Sequence, residues 1–286
     1  MAEMKPAEMI EQQRQDWNRV APAWEKWDAL LQRNLSFLNY RLVGDARIRP
    51  GHRVLDLGSG TGYPAIVAAE AVGNQGEVVG LDLATEMLER AKRKAYALGL
   101  FHLDFRVSDV TTLSEPDASF DAVISRFCLM FLPDIPKAVG EITRVLKPGG
   151  YLAAAVWSTP ENNPFAKIPI DVLKQFIEIP PPLPDQPGIF RLAKPGDLSG
   201  MAERAGLQKI ADDEIVADAP YDSAEVYLEN LLEMAAPLQP LFAKLSPAQR
   251  SEAERRMKEA AERYRQGDEL ALPMAIRIVV ARKPWS

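Results

Sequence analysis

The chain has 286 residues, 47% of them hydrophobic and 26% charged, which gives it the length and apolar content for a full globular core. Its net charge of −6 argues against a general affinity for nucleic-acid phosphates or anionic lipid. One cysteine, Cys128, rules out an intrachain disulfide and a Cys-based zinc site, and His52 and His102 alone cannot build a His-rich centre, so no metal is expected. No apolar run reaches the length of about eighteen residues that would suggest a membrane span, and Met1–Pro6 has no apolar leader core. The expected compartment is therefore the cytoplasm, without membrane insertion.

Residues 6–43 have helical spacing and carry Trp17, Trp24 and Trp27. Pro22 lacks the amide an interior helix position needs, so two helices with a break there are expected. After the basic turn Arg47-Ile48-Arg49-Pro50-Gly51, apolar runs predict strands at 53–57, 77–81, 103–107, 120–125 and 151–157. Helical stretches fall between them at 63–72, 85–98 and 134–146. Strands joined by helical crossovers imply a parallel sheet with helices on both faces. The turn Lys147-Pro148-Gly149-Gly150 is expected to stop a helix and release the fifth strand. Residues 158–197 are dense in proline, including Pro180-Pro181-Pro182, and are expected to be an irregular insertion. A helix near 197–205, a strand near 208–217, a helical segment over 222–266 and a last strand at 275–281 complete the chain.

The strongest local signal is Val54-Leu55-Asp56-Leu57-Gly58-Ser59-Gly60-Thr61-Gly62, an apolar strand running into three alternating glycines and then a helix. Such glycines admit left-handed backbone angles and close approach of a ligand. Their place at the carboxyl end of the first strand is where open α/β sheets bind ligands. A dinucleotide fold wants G-x-G-x-x-G with pyrophosphate at the helix N-terminus. Here the spacing is G-x-G-x-G, and the Asp56 carboxylate would repel pyrophosphate while suiting the ammonium and sulfonium region of S-adenosylmethionine (SAM). Asp82, ending the second strand, can accept ribose hydroxyls in either SAM or NAD. Asp109, after the third strand, can accept the adenine amino group.

These elements, with Phe120–Ser125 and Ala138–Gly150, resemble the class I SAM-dependent methyltransferases through about residues 50–158, and more narrowly the branch of quinone-biosynthesis and small-metabolite enzymes. The resemblance implies a seven-stranded, mostly parallel Rossmann-like α/β sheet with helices on both faces, plus N-terminal helices and a helical or irregular lid. It implies that the glycine loop cradles the methionine part of SAM, that Asp82 holds the ribose and that Asp109 faces the adenine. The expected cofactor set is Asp56, Gly58, Ser59, Gly60, Gly62, Asp82, Leu83, Met87, Asp109, Val110 and Arg126, the last reaching a cofactor carboxylate or an acidic acceptor. Trp24, Phe127 and Trp157 are candidates for an aromatic acceptor pocket. The implied division is a helical cap (1–50), a SAM-binding core (51–158), a Pro-rich insertion (159–200) and a C-terminal completion (201–286) with a helical insertion at about 222–270.

The fourth strand ends in Ser125-Arg126-Phe127-Cys128, not in the Asp/Asn-Pro-Pro-aromatic signature of nucleic-acid amino methylation, and Asn163-Pro164-Phe165 follows the fifth strand and lacks one proline of that signature. The acidic residue of aminopropyl transferases and the double-glutamate loop of arginine methyltransferases are missing too. A small-molecule acceptor is expected, with S-adenosylhomocysteine (SAH) as product. No residue stands out as a general base, because His52 and His102 precede strands, away from the glycine loop. Cys128 reads as a small buried hydrophobe. The alternatives are a nicotinamide-dependent oxidoreductase, which the glycine spacing and Asp56 count against, and a non-catalytic SAM-fold binding protein. The accepting atom and the oligomeric state are not written in the sequence.

Overall fold

Residues Arg53–Leu57 form β1 because four consecutive apolar or buried positions suit a strand covered on both faces, and all of Val54–Leu57 are buried. The structure, a computed structural model, describes residues 5–181 and 186–285. Two helices precede β1: α1 (Pro6–Lys26) and α2 (Asp28–Asp45). The core then alternates as α3 (Ala65–Val72), β2 (Glu77–Asp82), α4 (Thr85–Ala97), β3 (Leu103–Val107), β4 (Phe120–Arg126), α5 (Ile135–Val145) and β5 (Leu146–Trp157). Beyond it lie α6 (Pro164–Leu173), α7 (Asp197–Arg204), β6 (Gln208–Tyr221), α8 (Ala224–Met234), α9 (Gln239–Phe242), α10 (Pro247–Glu262), the short β7 (Arg265–Gln266) and β8 (Glu269–Arg282).

The sheet order is β3-β2-β1-β4-β5-β8-β6, with β7 paired to β8 off this path. The first five strands run parallel; β8 is antiparallel to both β5 and β6. This is the expected mostly parallel α/β sheet, with seven strands along its main path.

Five local expectations are corrected. Helix α1 runs through Pro22, and the break falls at Trp27. The flanking turns, with Val20 and Ala21 buried and Trp17 and Trp24 packed beside them, hold the helix together while Pro22 itself is exposed. The 146–150 segment is the start of β5, bulged against β4, with Gly149 at φ +79°. The proline-rich stretch is not wholly irregular: Pro160–Asn162 form a 3₁₀ turn and α6 follows, with Pro164 at its first turn where no amide is needed. Residues 182–185, including Pro182 of the proline run, lie outside the described residues. The segment expected to be helical over 222–266 is divided into α8, α9 and α10, and both late strands extend well beyond their predicted ends.

The two N-terminal helices differ in what they bury. Leu38 and Leu42 of α2 are fully buried in the main core, where the helix packs on α3, β4 and β5. The buried residues of α1, Val20 and Ala21, belong to a small separate cluster with Ala84, Met87 and Ala236. Two measurements follow. Leu38→Ala should lower the unfolding free energy by about 2–5 kcal/mol in denaturant melts, from lost transfer energy and an unfilled cavity. Gly58 has φ +73°, and a Cβ there would meet Cys128, with its Sγ at 2.5 Å. Gly58→Ala should therefore destabilise strongly, and Cys128→Gly should recover the steric part in the double variant, giving losses smaller than additive. Additive losses would place the cost in the backbone angle alone.

Candidate functional site

The chain lays down β1, β2 and β3 towards one edge, then returns to place β4 on the other side of β1. The carboxyl ends of β1 and β4 are neighbours, Leu57 against Ser125, and the Ser125 hydroxyl donates to the Leu57 carbonyl at 3.0 Å. Such a reversal opens a crevice above the strand ends. Into it project the glycine loop after β1 and Arg126-Phe127-Cys128 after β4. The amides of Gly58 and Ser59 donate to the Leu81 carbonyl at 2.8 and 3.0 Å, which pins the loop to the end of β2. Gly60 has φ +51°, and a Cβ on it would meet no atom within 4 Å, so a side chain there would occupy the space above the loop.

Two carboxyl groups lie beside this loop. Asp82 braces it: one carboxylate oxygen accepts from the Gly60 amide at 2.9 Å and the other from the Ala84 amide at 2.8 Å. Each oxygen retains a lone pair for a further donor. Burial raises the Asp82 pKa, and the Ala84, Gly60 and Leu83 amides pull the other way. Asp56 differs. It is fully buried, no well-formed hydrogen bond reaches either carboxylate oxygen, and burial pushes its pKa up to about 7 against the weaker opposing pull of the nearby Ser59 hydroxyl, the Arg126 charge and the Ala65 amide. A buried carboxyl left without donors is the counterpart of a cationic ligand group.

The crevice encloses a cavity of about 110 Å³. Of the predicted residues, Gly58, Ser59 and Gly60 line it, as do Asp82, Leu83, Met87 and Val110. Arg126, Phe127 and Trp24 also reach it. The other four stand one layer back. Asp56 lies at the end of β1 before the loop. Gly62 packs towards α3 and α4, where a Cβ would meet Ile66 at 3.0 Å. Asp109 turns to its own loop, accepting from the Thr111 amide and hydroxyl at 2.8 Å each, and so presents its neighbour Val110. Trp157 stacks on Phe127 with ring centroids 4.1 Å apart and planes 4° from parallel.

Several wall residues were not foreseen. Thr61 and Tyr63 lie in or just after the glycine motif, and Cys128, Phe131 and Leu132 continue the segment after β4. Gln13, Trp17 and Leu35 come from α1 and α2, whose helical spacing shows an apolar face but not what it covers. Trp24, Trp17 and Phe131 form an edge-to-face chain with centroids 6.0 and 5.4 Å apart, and Gln13 Nε2 donates to the Phe131 carbonyl at 2.6 Å. Burial pushes the Cys128 thiol up, so the thiolate needed for nucleophilic chemistry is disfavoured. Arg126 donates to Asn39 Oδ1 at 2.6 Å, and burial lowers its pKa to about 10. His102 Nε2 is 2.8 Å from the Ala69 carbonyl, and neither histidine lines the cavity. Among the described residues, no group of three or more His, Cys, Asp or Glu side chains is placed to hold a metal ion.

A methyltransferase-domain family model matches residues 54–150, the span holding the glycine loop, Asp82 and β4. The demethylmenaquinone methyltransferase of Thermus thermophilus is 38% identical over 157 residues, which cover 53% of this chain and 69% of that one. An aklanonic acid methyltransferase from a Streptomyces species is 40% identical over 113 residues, or 40% of this chain, and the match spans only 51% of that relative's length. Among solved structures, the 4+2 cyclase SpnF superposes with a TM-score of 0.55 over 87% of this chain and 80% of its own, at 24% identity, a likeness of fold alone. With the Thermus protein matched over more than two thirds of its length, the chain belongs to the class I SAM-dependent methyltransferase family, in the branch that includes quinone-biosynthesis enzymes.

Proposed function

We propose that this protein transfers the methyl group of SAM to an oxygen, carbon or nitrogen of a small, mostly apolar acceptor and releases SAH. The observation that carries the reading is Asp56, a fully buried carboxyl with no donor, beside a glycine loop whose Gly60 leaves room above it. That pairing suits an ammonium or sulfonium and is wrong for a pyrophosphate. On this reading Gly58, Ser59 and Gly60 hold the methionine part, Asp82 accepts the ribose hydroxyls, and Leu83, Met87 and Val110 pack on the nucleoside. Asp109 and Gly62 act through the loops they shape, and Trp157 through Phe127. SAM supplies an already activated methyl group. The chain's own contribution is orientation of the acceptor against that group and exclusion of water by the aromatic wall, with no general base among the lining residues.

The same proposal covers the division of the chain. Residues 51–158 act as the cofactor-binding core, 1–50 as a cap whose second helix is also built into that core, 159–200 as an insertion and 201–286 as the completion of the sheet. A cytoplasmic setting suits the single free cysteine. No described helix is long and apolar enough to cross a membrane. Ligand sites usually enclose about 300–1,000 Å³, so the cavity of about 110 Å³ suits a closed form of the site. On this reading helix α1, which supplies Trp17 and Trp24 to the wall, is the part that opens. Its ties include the Gln13 contact, the Glu86 amide donating to Asn18 at 2.9 Å, and Glu25 between Arg90 and Arg93.

Calorimetry on the purified protein should show SAM and SAH binding, with a rise in Tm. Asp82→Ala should weaken SAM binding by about 1–3 kcal/mol, with Asp82→Asn recovering part of it. No binding of either ligand at millimolar concentration would overturn the reading. Methyl release from labelled SAM over a metabolite panel then separates turnover from binding alone, and it should persist in EDTA.

Asp56 gives a pH dependence. Its folded-state pKa of about 7 lies above the ordinary 3.8. Between those values the folded state keeps a proton that the unfolded state has lost, so this group's contribution makes stability fall as pH rises from about 4 to about 7. Asp56→Asn should flatten that part of the stability–pH curve and weaken SAM binding. Wild-type SAM affinity should rise over the same range, because the cation favours the ionised carboxylate. Denaturant melts and calorimetry across this range test both.

For the cap, deletion of residues 1–26 should leave a folded protein, by circular dichroism, that binds SAH weakly and turns over poorly. Deletion of 1–43 should not fold, because it strips Leu38 and Leu42 from the core. Full affinity and rate in the shorter deletion would show that α1 is not a lid.

A further inference from the structure

Two arginines are drawn into the interior by strands of the sheet, Arg126 by β4 and Arg277 by β8, and they are held differently. Arg277, on β8, is 5% exposed and sealed by carboxylates, with Asp212 at 2.9 Å and Glu214 at 3.7 Å, while its Nε donates to the Ala193 carbonyl. Its charge is compensated inside the protein. Arg126, at the end of β4, faces the cavity and makes no ion pair among the described residues. Its side-chain hydrogen bond goes to a neutral amide oxygen, Asn39 Oδ1, at 2.6 Å. Asn39, on α2, is 1% exposed, and its own Nδ2 donates to Gln32 Oε1 at 3.4 Å, which turns the oxygen towards the guanidinium.

We propose that Asn39 is a positioning residue that holds Arg126 as the receptor for an anionic oxygen, a carboxylate or an ionised hydroxyl, of a ligand in the cavity. A guanidinium offers five N–H donors, and the amide uses one without neutralising the charge. The acids nearest in effect compensate it only in part. Asp28 is paired with Lys94 at 2.5 Å, and Asp56 reaches Arg126 through neither a hydrogen bond nor an ion pair. A partly desolvated cation without a counter-ion is costly, and a bound anion offsets that cost through charge-assisted and bidentate hydrogen bonds. The naming of the ligand rests on the methyl-transfer reading. The anion is then either the carboxylate at the methionine end of SAM and SAH or an acidic group on the acceptor, whose flat apolar remainder fits Tyr63, Phe127 and Phe131.

The test is Asn39→Asp in the full-length protein. It keeps the size and the hydrogen bond but places a carboxylate on the guanidinium, so a purely structural role leaves ligand binding unchanged. Three probes are titrated by calorimetry: SAH, 5′-deoxy-5′-methylthioadenosine, which has the nucleoside and thioether but no amino-acid end, and 1-naphthoate. The variant is expected to weaken at least one carboxylate probe about tenfold or more while methylthioadenosine binds as to wild type. Loss confined to SAH assigns the receptor to the cofactor carboxylate, and loss confined to naphthoate assigns it to the acceptor. Either supports the proposal.

Asn39→Leu, near-isosteric and neutral, is the second variant, in case Asn39→Asp does not fold; it should weaken the same probe several-fold. Unchanged affinity for both carboxylates in a folded variant, or an equal loss across all three probes, overturns the proposal. So does failure of wild type to bind either carboxylate. Failure of SAH alone to bind wild type counts instead against the methyl-transfer reading, and the naphthoate arm still reports on Arg126.

Discussion

The site is organised around a carboxyl group that the fold forces out of water and leaves unpaired. Asp56 lies on the central strand of a sheet covered on both faces, flanked by Gly80 on β2 and Ile124 on β4. Neither neighbour offers it a side-chain donor, and burying such a group is unfavourable unless it is protonated or matched. The surrounding core sustains that burden: Val54, Leu55, Leu57, Val78, Val79 and Leu81 are all fully buried on the two strands that meet there. The loop above it is shaped to the same end. Gly58 lets the Cys128 segment come close enough to seal one side, and Asp82 ties Gly60 from the other.

The two N-terminal helices divide stability from access. Helix α2 contributes fully buried leucines and the amide that orients Arg126, so it belongs to the scaffold. Helix α1 meets the rest mainly through a small apolar cluster and exposed polar ties such as Lys26 with Glu229 and Glu233. Exposed ion pairs contribute about 0–1 kcal/mol each. On the proposed reading, an element held this way is expected at the low end of the protein's local stability, able to leave its place without unfolding the core. The aromatic chain from Trp24 through Trp17 to Phe131 therefore lies where an opening motion would part it.

The inner strands were legible in the sequence because parallel strands buried on both faces leave near-continuous apolar runs: β1 matches its predicted bounds, and β2 and β4 each run one residue further, while the edge strand β3, also matched, shows alternation with Leu103 and Phe105 buried. What was misread depended on packing across the chain. Pro22 breaks no helix because tertiary contacts flank it, and β5 begins five residues early because residues 146–150 pair with β4 through a bulge. Asn163, which superficially resembled part of a catalytic tetrapeptide, is instead fully buried and bonded to the Ser158, Thr159 and Ala275 carbonyls and the Ala275 amide. The floor of the site was readable as a contiguous motif. Its roof was readable only as helices bearing tryptophans, because Gln13, Leu35 and Asn39 are recruited by how those helices dock, and helical spacing does not record their destination.

A fold shared with a cyclase shows why function has to be argued from the site and not from the sheet. Here the lining combines aromatic rings, one arginine and the Asp82 carboxylate, with no histidine or lysine. Such a surface is poorly equipped to take a proton from a weakly acidic acceptor, since Cys128 is held neutral, the Tyr63 hydroxyl is pushed upward by burial, and both oxygens of Asp82 are engaged by the Gly60 and Ala84 amides. It can hold a flat ligand and favour its ionised form through the guanidinium. On the methyl-transfer reading the acceptor must then bring its own nucleophile, as an ionised oxygen or the electron-rich carbon conjugated to one, or as an amine that is unprotonated when it binds. Acceleration comes from fixing that atom in line with the methyl group in a dry enclosure, a contribution that rests on the placement of α1 and not on any single reactive side chain.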